Sequence, residues 1–255
     1  MIRLGNYGNK IAKITGGILD GTKINIEDIN IEDIENKTQN DDEKIFELPK
    51  GCNMLMSPDV TKKRIVVYIA GSNGSGKSYK AAEITKEYME QLPNNKIYMI
   101  TDNPAEDPAF SDIPIIKLQI SKLIENKEKI KLDMFTNSLV IFDDVDNLRG
   151  ESDKFIRKLK LEMVDLGRKL NISVIITNHM LYDASKTKYE LAGCDYFVLF
   201  PRFCRKAQIE YFLKRYMGLK ADKINEVANE KVSRWVAFNS NGIPVMIKSN
   251  SIELL

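Results

Sequence analysis

The segment Gly71–Ser78 has the residue types and spacing of a phosphate-binding loop, because it fits the pattern GxxxxGK[ST] at every position. Glycines let the backbone turn so that consecutive N–H groups point at one anion, and the positive end of a following helix adds to the attraction. We predict that the loop binds ATP, with Lys77 at the β- and γ-phosphates as a catalytic residue and the Ser78 hydroxyl on Mg²⁺. The predicted nucleotide-binding residues are Gly71, Ser72, Asn73, Gly74, Ser75, Gly76, Lys77 and Ser78.

Two adjacent carboxylates form a second candidate group. The apolar run Leu139–Phe142 is followed directly by Asp143 and Asp144. A buried strand that ends in acids places them beside the phosphate loop, so Asp143 is expected to hold Mg²⁺ through water. Asp144 is expected to orient and polarise the attacking water. Asp146 is expected to cap the turn at Asn147.

The apolar run 172–177 ends at Asn178 and His179. A polar amide at the tip of this strand can sense the γ-phosphate and the attacking water, which makes Asn178 a candidate catalytic residue. Alternatively, Asn178 only starts a turn. His179 is the one histidine in the chain, which excludes a multi-histidine metal centre. Because phosphoryl transfer needs positioning and charge more than a strong base, we expect His179 to be a neighbour of the site.

Two groups of arginines are candidates for contact with phosphate. Arg168 lies near the end of a predicted helix, and Arg202 and Arg205 follow the last predicted core strand. Either group can form the lid of a nucleoside monophosphate kinase or supply an arginine finger to a neighbouring subunit. Alternatively, both are surface charge at helix ends, where the helix dipole favours cations.

The elements that must position these residues become regular from residue 64 onward. Short apolar, β-branched runs alternate with longer helical stretches, which predicts an α/β fold with a mainly parallel central sheet flanked by helices, as in a P-loop NTPase core. The predicted strands are 65–70, 96–101, 114–118, 138–142, 172–177 and 195–200, and the predicted helices are about 77–92, 119–130, 151–170 and 205–217. Two short β-like runs, 234–238 and 243–248, surround the turn Asn241-Gly242.

The first 60 residues have a different composition. Residues 19–47 contain ten acidic and three basic residues, a net charge of −7, whereas the whole chain carries +2. A hairpin turn is predicted at Asp20-Gly21, a mobile acidic loop over the tandem repeat that starts at Ile24, and a further short strand at 44–48. We therefore predict two domains, a small β appendage with an acidic loop over 1–60 and a P-loop ATPase domain over 61–255.

The composition predicts a soluble, intracellular enzyme. Of the 255 residues, 43% are hydrophobic and 29% are charged, which excludes a mostly disordered chain. The longest apolar runs are far shorter than the roughly 20 residues that a membrane-spanning helix needs, and no secretory signal is expected at the start. The three cysteines form no CxxC pair, which argues against a zinc site or a disulfide framework.

Taken together, these residues resemble the genome-packaging ATPases of large eukaryotic DNA viruses and virophages, in the FtsK/HerA superfamily. The resemblance rests on the loop Gly71–Ser78, the Asp143-Asp144 pair, Arg168 before the sensor strand and Asn178 at its tip. Two further segments are similar to segments of those ATPases. One comprises Lys96–Thr101 and Glu106–Phe110, and the other comprises Arg234-Trp235 and Pro244. Asp144 stands where many translocases of the superfamily have Glu, and Asn178 stands where Gln is common.

The resemblance implies an ATP- and Mg²⁺-dependent motor that moves double-stranded DNA into a viral capsid. It implies a ring of five or six identical subunits, with DNA in the channel and viral capsid or vertex proteins as partners. Each nucleotide would lie at a subunit boundary, where the neighbour donates Arg168, or else Arg202 or Arg205. The implied location is the virus factory in the host cytoplasm, with the virion as a second place, and no membrane is involved.

Three points stay open at the level of sequence. The basic residues at 154–160 are candidates for contact with the DNA backbone, or they form a solvated helix face. A nucleotide-switched assembly or partition ATPase would contain the same motifs without moving DNA. A small-molecule phosphotransferase would also contain the loop, and it would require a second substrate as acceptor.

Overall fold

A computed structural model describes residues 1–5, 8–27, 44–183 and 187–255 of the chain, and these residues form two sheets and six helices. The strands are β1 (Ile2–Leu4), β2 (Asn9–Thr15), β3 (Lys23–Ile26), β4 (Ile45–Glu47), β5 (Asn53–Met56), β6 (Val66–Ala70), β7 (Lys96–Thr101), β8 (Ile115–Gln119), β9 (Ser138–Asp143), β10 (Ile172–Asn178), β11 (Tyr196–Leu199), β12 (Val236–Asn239), β13 (Val245–Lys248) and β14 (Ser251–Leu254). The helices are α1 (Lys77–Gln91), α2 (Ile120–Glu125), α3 (Gly150–Leu166), α4 (Lys188–Ala192), α5 (Lys206–Tyr216) and α6 (Ala221–Ala228).

The larger sheet has ten strands in the order β4-β14-β13-β12-β11-β6-β10-β9-β7-β8. The six strands from β11 to β8 are parallel, and the other four extend the sheet as antiparallel neighbours. This confirms the predicted P-loop NTPase core with a mainly parallel sheet. Because β10 lies between β6 and β9, the carboxyl ends of all three strands meet at one edge, which we name the carboxyl edge.

Helices and the small sheet cover both faces of the large sheet, as continuous apolar strands require. Along β6, Val67 and Ile69 enter one core, whereas Val66, Tyr68 and Ala70 enter the other. The first core contains α1 and the small sheet, and the second contains α3, α5 and α6. This alternation of side chains along each strand decides which polar residues can reach the nucleotide loop.

The predicted helices are confirmed in position, but two of them end earlier than expected. The helix predicted over 119–130 ends at Glu125 and is followed by a 3-10 turn at Lys127–Lys129. The helix predicted over 151–170 ends at Leu166, and the 3-10 turn Gly167–Leu170 then leads to Asn171, which has a left-handed backbone. Strands β1, β5 and β14 and helices α4 and α6 were not predicted, because each is only three to eight residues long.

The small sheet is antiparallel, with the order β1-β3-β2-β5, and it contains the predicted hairpin with its turn near Gly21. Strand β4, inside the segment predicted as an appendage, pairs with β14 in the large sheet. The predicted acidic loop over the repeat extends into residues 28–43, which lie outside the described residues. Within the described ranges, no helix has both the length and the apolar character needed to cross a membrane.

Candidate nucleotide site

The predicted phosphate loop connects β6 to α1 at the carboxyl edge. Gly74 and Gly76 have φ of +75° and +108°, which side chains other than glycine rarely adopt. A Cβ on Gly71 would lie 2.7 Å from the Ser75 hydroxyl, so this position also needs glycine. The Ser75 hydroxyl is buried and has no hydrogen-bond partner within the described residues. An unpartnered hydroxyl and the free N–H groups at the start of α1 suit a bound phosphate.

Lys77 is positioned by the first turn of α1. Its side chain is only 6% exposed, and its ammonium donates to the Gly71 carbonyl at 2.9 Å. The same nitrogen lies 3.5 Å from Asp144 Oδ1. The structure therefore brings the predicted lysine and the predicted water-orienting carboxylate together, although they are far apart in the sequence.

The two acids at the end of β9 have different environments. Burial, with the neighbouring charge of Asp144 as a second cause, raises the pKa of the Asp143 carboxyl above its usual value. Asp144 has φ of +48° and ψ of +40°, a left-handed conformation that is costly for a residue with a Cβ. Such strain is typical of functional sites. Asp143 and half-buried Ser78 offer the hard oxygen ligands that Mg²⁺ prefers, so the residues fit this ion.

Asp143 and Asp144 should differ in their response to replacement by asparagine. We expect Asp143→Asn to weaken Mg²⁺-dependent ATP binding by about 10- to 100-fold, the usual cost for a group that holds a metal through water. We expect Asp144→Asn to bind Mg²⁺ and ATP normally but to lower kcat by about 10²-fold or more. Binding titrations and steady-state kinetics measure both effects, with the exposed Asp112→Asn as a matched control. Wild-type turnover in Asp144→Asn would remove this residue from the catalytic group.

The raised pKa of Asp143 also has a consequence for stability. A folded-state pKa above the unfolded value means that ionisation costs stability as the pH rises from about 4 through the folded pKa. Asparagine has no ionisable group and therefore avoids this cost. Asp143→Asn should therefore raise the Tm of the nucleotide-free protein at pH 7. Thermal denaturation of the variant and of the wild-type chain measures this difference in Tm.

Thr177 is a site residue that the sequence analysis missed. It is fully buried on β10, and its hydroxyl donates to Asp143 Oδ1 at 3.1 Å. The Thr177 hydroxyl oxygen also accepts the backbone N–H of Asp144 at 2.9 Å, which holds Asp144 in its left-handed conformation. A threonine just before the predicted sensor was visible in the sequence, but only the position of β10 beside β9 explains what it does.

We expect Thr177→Val to lower stability by about 1–3 kcal/mol, because the valine removes two hydrogen bonds, one with the part-buried N–H of Asp144 and one with the Asp143 carboxylate. It should also lower kcat, since Asp144 loses its backbone support. Thr85→Val is the matched control, because the Thr85 hydroxyl is also buried but bonds only to a carbonyl of its own helix. Chemical denaturation and kinetics test this expectation. Equal effects of the two valine variants would contradict it.

The structure places the predicted sensor Asn178 on the face of the sheet opposite to Thr177. It is 1% exposed, its amide nitrogen donates to the Tyr68 hydroxyl at 2.9 Å, and its amide oxygen is buried without a partner within the described residues. The reason is the alternation of side chains along a strand. Because Thr177 faces the carboxylates, its neighbour Asn178 faces away from them. The sensor role of Asn178 stays a prediction.

The two arginine groups lie at opposite ends of the sheet. Arg168 is exposed in the turn that precedes β10, and the seven residues of this strand span about 20 Å to the carboxyl edge. Arg202 and Arg205 are exposed beside the phosphate loop, and the carbonyl of Phe203 accepts the N–H of Ser72 at 3.1 Å. Arg168 therefore cannot reach the phosphate loop of its own chain.

The segment before β12 supports the outer side of the phosphate loop. Arg234 donates to the carbonyls of Ser75 at 2.8 Å and Gly74 at 2.9 Å, and its guanidinium lies over the Phe203 ring. Next to it, the Trp235 ring contacts the Lys80 ammonium at 3.3 Å. In the sequence, Arg234 and Trp235 pointed only to the resemblance. Their contact with the loop could not be predicted, because about 160 residues separate them from it.

The basic residues proposed for DNA contact do not share one environment. Lys154 and Lys158 are exposed, and Arg157 lies 3.3 Å from Asp153. The prediction is wrong for Lys160, which is 5% exposed and lies 2.7 Å from the buried carboxylate of Glu190. Lys160 is on the core face of α3, where a lysine needs a buried acid as partner.

Comparisons with known proteins agree with this fold. No protein-family model matches the chain. An uncharacterized protein of Sputnik virophage is 28% identical over 259 residues, which cover 96% of this chain and 95% of that protein.

Several solved structures are similar in fold to the chain. The DNA-packaging ATPase of Sulfolobus turreted icosahedral virus has a TM-score of 0.52 and 15% identity over 76% of this chain and 98% of its own. The genome packaging NTPase of Sulfolobus turreted icosahedral virus 2 in complex with ATP-gammaS has a TM-score of 0.50 and 13% identity, over 75% of this chain and 98% of its own. The type VII secretion ATPase EccC of Thermomonospora curvata has a TM-score of 0.51 and 11% identity, over 84% of this chain and 29% of its own. These likenesses show a P-loop ATPase fold, and they confirm at the level of the fold the resemblance to packaging ATPases.

Proposed function

We propose that this protein is an ATP-hydrolysing motor that moves double-stranded DNA into a viral capsid. The observation that carries the ATPase part is the meeting of Lys77 and Asp144 at 3.5 Å beside the glycine loop. The packaging part is supported by the likeness to a DNA-packaging ATPase and by the virophage relative.

Each residue at the carboxyl edge is assigned a separate role in ATP hydrolysis. The loop N–H groups and Lys77 bind the phosphates and offset their charge. Ser78 and Asp143 are the residues that would hold Mg²⁺, which supplies charge neutralisation at the phosphate oxygens when bound. Asp144, fixed by Thr177, orients a water for attack and polarises it. Thr177 is thus a positioning residue for the catalytic carboxylate.

The position of Arg168 supports an oligomer, for which the resemblance implies five or six subunits. It is exposed about 20 Å from its own phosphate loop, so it can only act on a nucleotide held by another copy. Arg202 and Arg205, which lie beside the loop of their own chain, are the alternative fingers. A finger in trans makes hydrolysis in one subunit depend on its neighbour, which is what a ring motor needs.

The proposed partners are double-stranded DNA and capsid or vertex proteins, and the proposed location is the host cytoplasm and the virion. Exposed Lys154 and Lys158 are candidates for contact with DNA phosphates. Such contacts carry no sequence information, and their strength falls steeply as salt increases.

An ATPase assay with and without duplex DNA, combined with sedimentation, tests the proposal. We expect strong stimulation by duplexes of unrelated sequence, loss of that stimulation at high salt, and a particle of five or six chains. Hydrolysis that ignores DNA while nucleotide changes the assembly state would instead indicate a switch ATPase. Phosphate transfer that requires a small-molecule acceptor would indicate a phosphotransferase.

A further inference from the structure

His179 connects three segments that are far apart in the sequence. Its ring Nδ1 lies 2.9 Å from Asp146 Oδ1, and its backbone N–H donates to Asp146 Oδ2 at 2.8 Å. Its ring Nε2 lies 2.7 Å from Asn73 Oδ1, in the phosphate loop, and 3.4 Å from Asp144 Oδ2. The side chain is 23% exposed, so the ring is held between these groups and is not free in solvent.

The contact with Asp146 fixes the position of the ring. Carboxylate and amide oxygens accept hydrogen bonds, so the contact with Asp146 Oδ1 needs an N–H at Nδ1, and the contacts with Asn73 Oδ1 and Asp144 Oδ2 need an N–H at Nε2. The backbone N–H of the same histidine occupies the other oxygen of Asp146, which prevents the carboxylate from turning away. The amide of Asn147, 3.3 Å from Nδ1, is a further neighbour. Nε2 is thereby directed at the phosphate loop and at Asp144.

Asp144 is held at both of its oxygens. Lys77 lies 3.5 Å from Oδ1, and His179 lies 3.4 Å from Oδ2. When Lys77 binds the phosphates, His179 still holds Asp144 at Oδ2. The Thr177 hydroxyl also holds Asp144, at the backbone N–H and at Oδ1. Asn178 cannot share this task in the observed conformation, because its side chain lies on the other face of the sheet.

We propose that Asp146 and His179 form a positioning dyad for the hydrolytic step. Asp146 orients the imidazole, and the imidazole fixes Asp144 and ties it to Asn73 at the tip of the phosphate loop. This inference rests on the proposed ATPase function and assigns to it two residues outside the phosphate loop and the acid pair. The dyad acts through Asp144, so its effect belongs to the rate of hydrolysis and not to nucleotide affinity.

Kinetics of single and double variants test the dyad. We expect His179→Ala to lower kcat by on the order of 10²-fold while the KM for ATP stays within about twofold. His179→Gln keeps an N–H that can reach Asp144, so it should retain more activity than the alanine variant. Asp146→Asn should also lower kcat, and the double variant His179→Ala with Asp146→Asn should be no worse than His179→Ala alone. Asp112→Asn, an exposed acid remote from the site, is the control.

Because His179 is the one histidine in the chain, NMR of ¹⁵N-histidine-labelled protein reports on its ring without ambiguity. We expect an N–H at both ring nitrogens in the folded chain, and we expect Asp146→Asn to shift the ring signals. This readout does not require turnover, and it distinguishes a misplaced ring from an inactive enzyme. Melting curves show that each variant is folded, and His179→Gln replaces His179→Ala if the latter does not fold.

Several outcomes would overturn the dyad. They are additive losses in the double variant, a rise in KM with kcat unchanged, and a ring that carries an N–H at only one of its two nitrogens. If any of these appears while the wild-type chain hydrolyses ATP, the dyad fails and the proposed function stands. A folded wild-type chain that hydrolyses no ATP would overturn the proposed function itself, and with it the catalytic purpose of the dyad.

Discussion

Lys77→Ala is expected to lower ATP hydrolysis by at least about 10²- to 10³-fold, both with and without DNA. The lysine supplies the positive charge at the position where the phosphate loop, the first turn of α1 and Asp144 meet. Alanine is a good helix former, so the start of α1 should remain intact and the variant should keep the fold. Steady-state phosphate release measures the loss, and circular dichroism confirms the fold.

Lys86→Ala is the matched control for this experiment. Lys86 lies on the same helix, its side chain is 51% exposed, and its ion pair with Asp112 at the surface contributes little. We expect this variant to hydrolyse ATP at the wild-type rate. Near-normal turnover in folded Lys77→Ala would mean that the nucleotide binds elsewhere.

Arg168→Ala is expected to bind ATP with little change and to lose DNA-stimulated hydrolysis. A trans arginine stabilises charge only in the transition state, and such fingers contribute on the order of 10³-fold or more. The structure supports this expectation because Arg168 is exposed at the end of the sheet remote from its own phosphate loop. Nucleotide titration and DNA-stimulated turnover measure the two quantities separately, and exposed Lys169→Ala is the neighbouring control.

Mixing the inactive variants shows whether the arginine acts in trans. An Arg168→Ala subunit keeps its nucleotide site, and a Lys77→Ala subunit keeps its arginine, so a mixed ring contains interfaces with both parts. We expect mixtures to recover part of the activity that neither variant has alone. An active Arg168→Ala protein without complementation at any ratio would contradict this role, and Arg202 and Arg205 would be tested next in the same way.

The sequence by itself determined the parts of this protein that depend on neighbouring residues. The phosphate loop is contiguous from Gly71 to Ser78, and its glycines, lysine and serine act through local backbone geometry. The acid pair is also recognisable from neighbouring residues. The apolar run Leu139–Phe142 predicts a buried strand, and Asp143 and Asp144 follow directly at its end. The alternation of apolar runs and helical stretches likewise sufficed for the α/β class and for the parallel half of the sheet.

Only the tertiary structure decided which distant residues complete the site. Thr177 reaches the acid pair because β10 is inserted between β6 and β9, and the register of that pairing turns Asn178 to the opposite face. Arg234 supports the phosphate loop across about 160 residues, and His179 reaches Asn73 across 106. These contacts depend on strand order and on the face that each side chain occupies. The spacing of residues in the sequence determines neither the strand order nor the face, because a shift of one residue in the pairing of a strand exchanges its two faces.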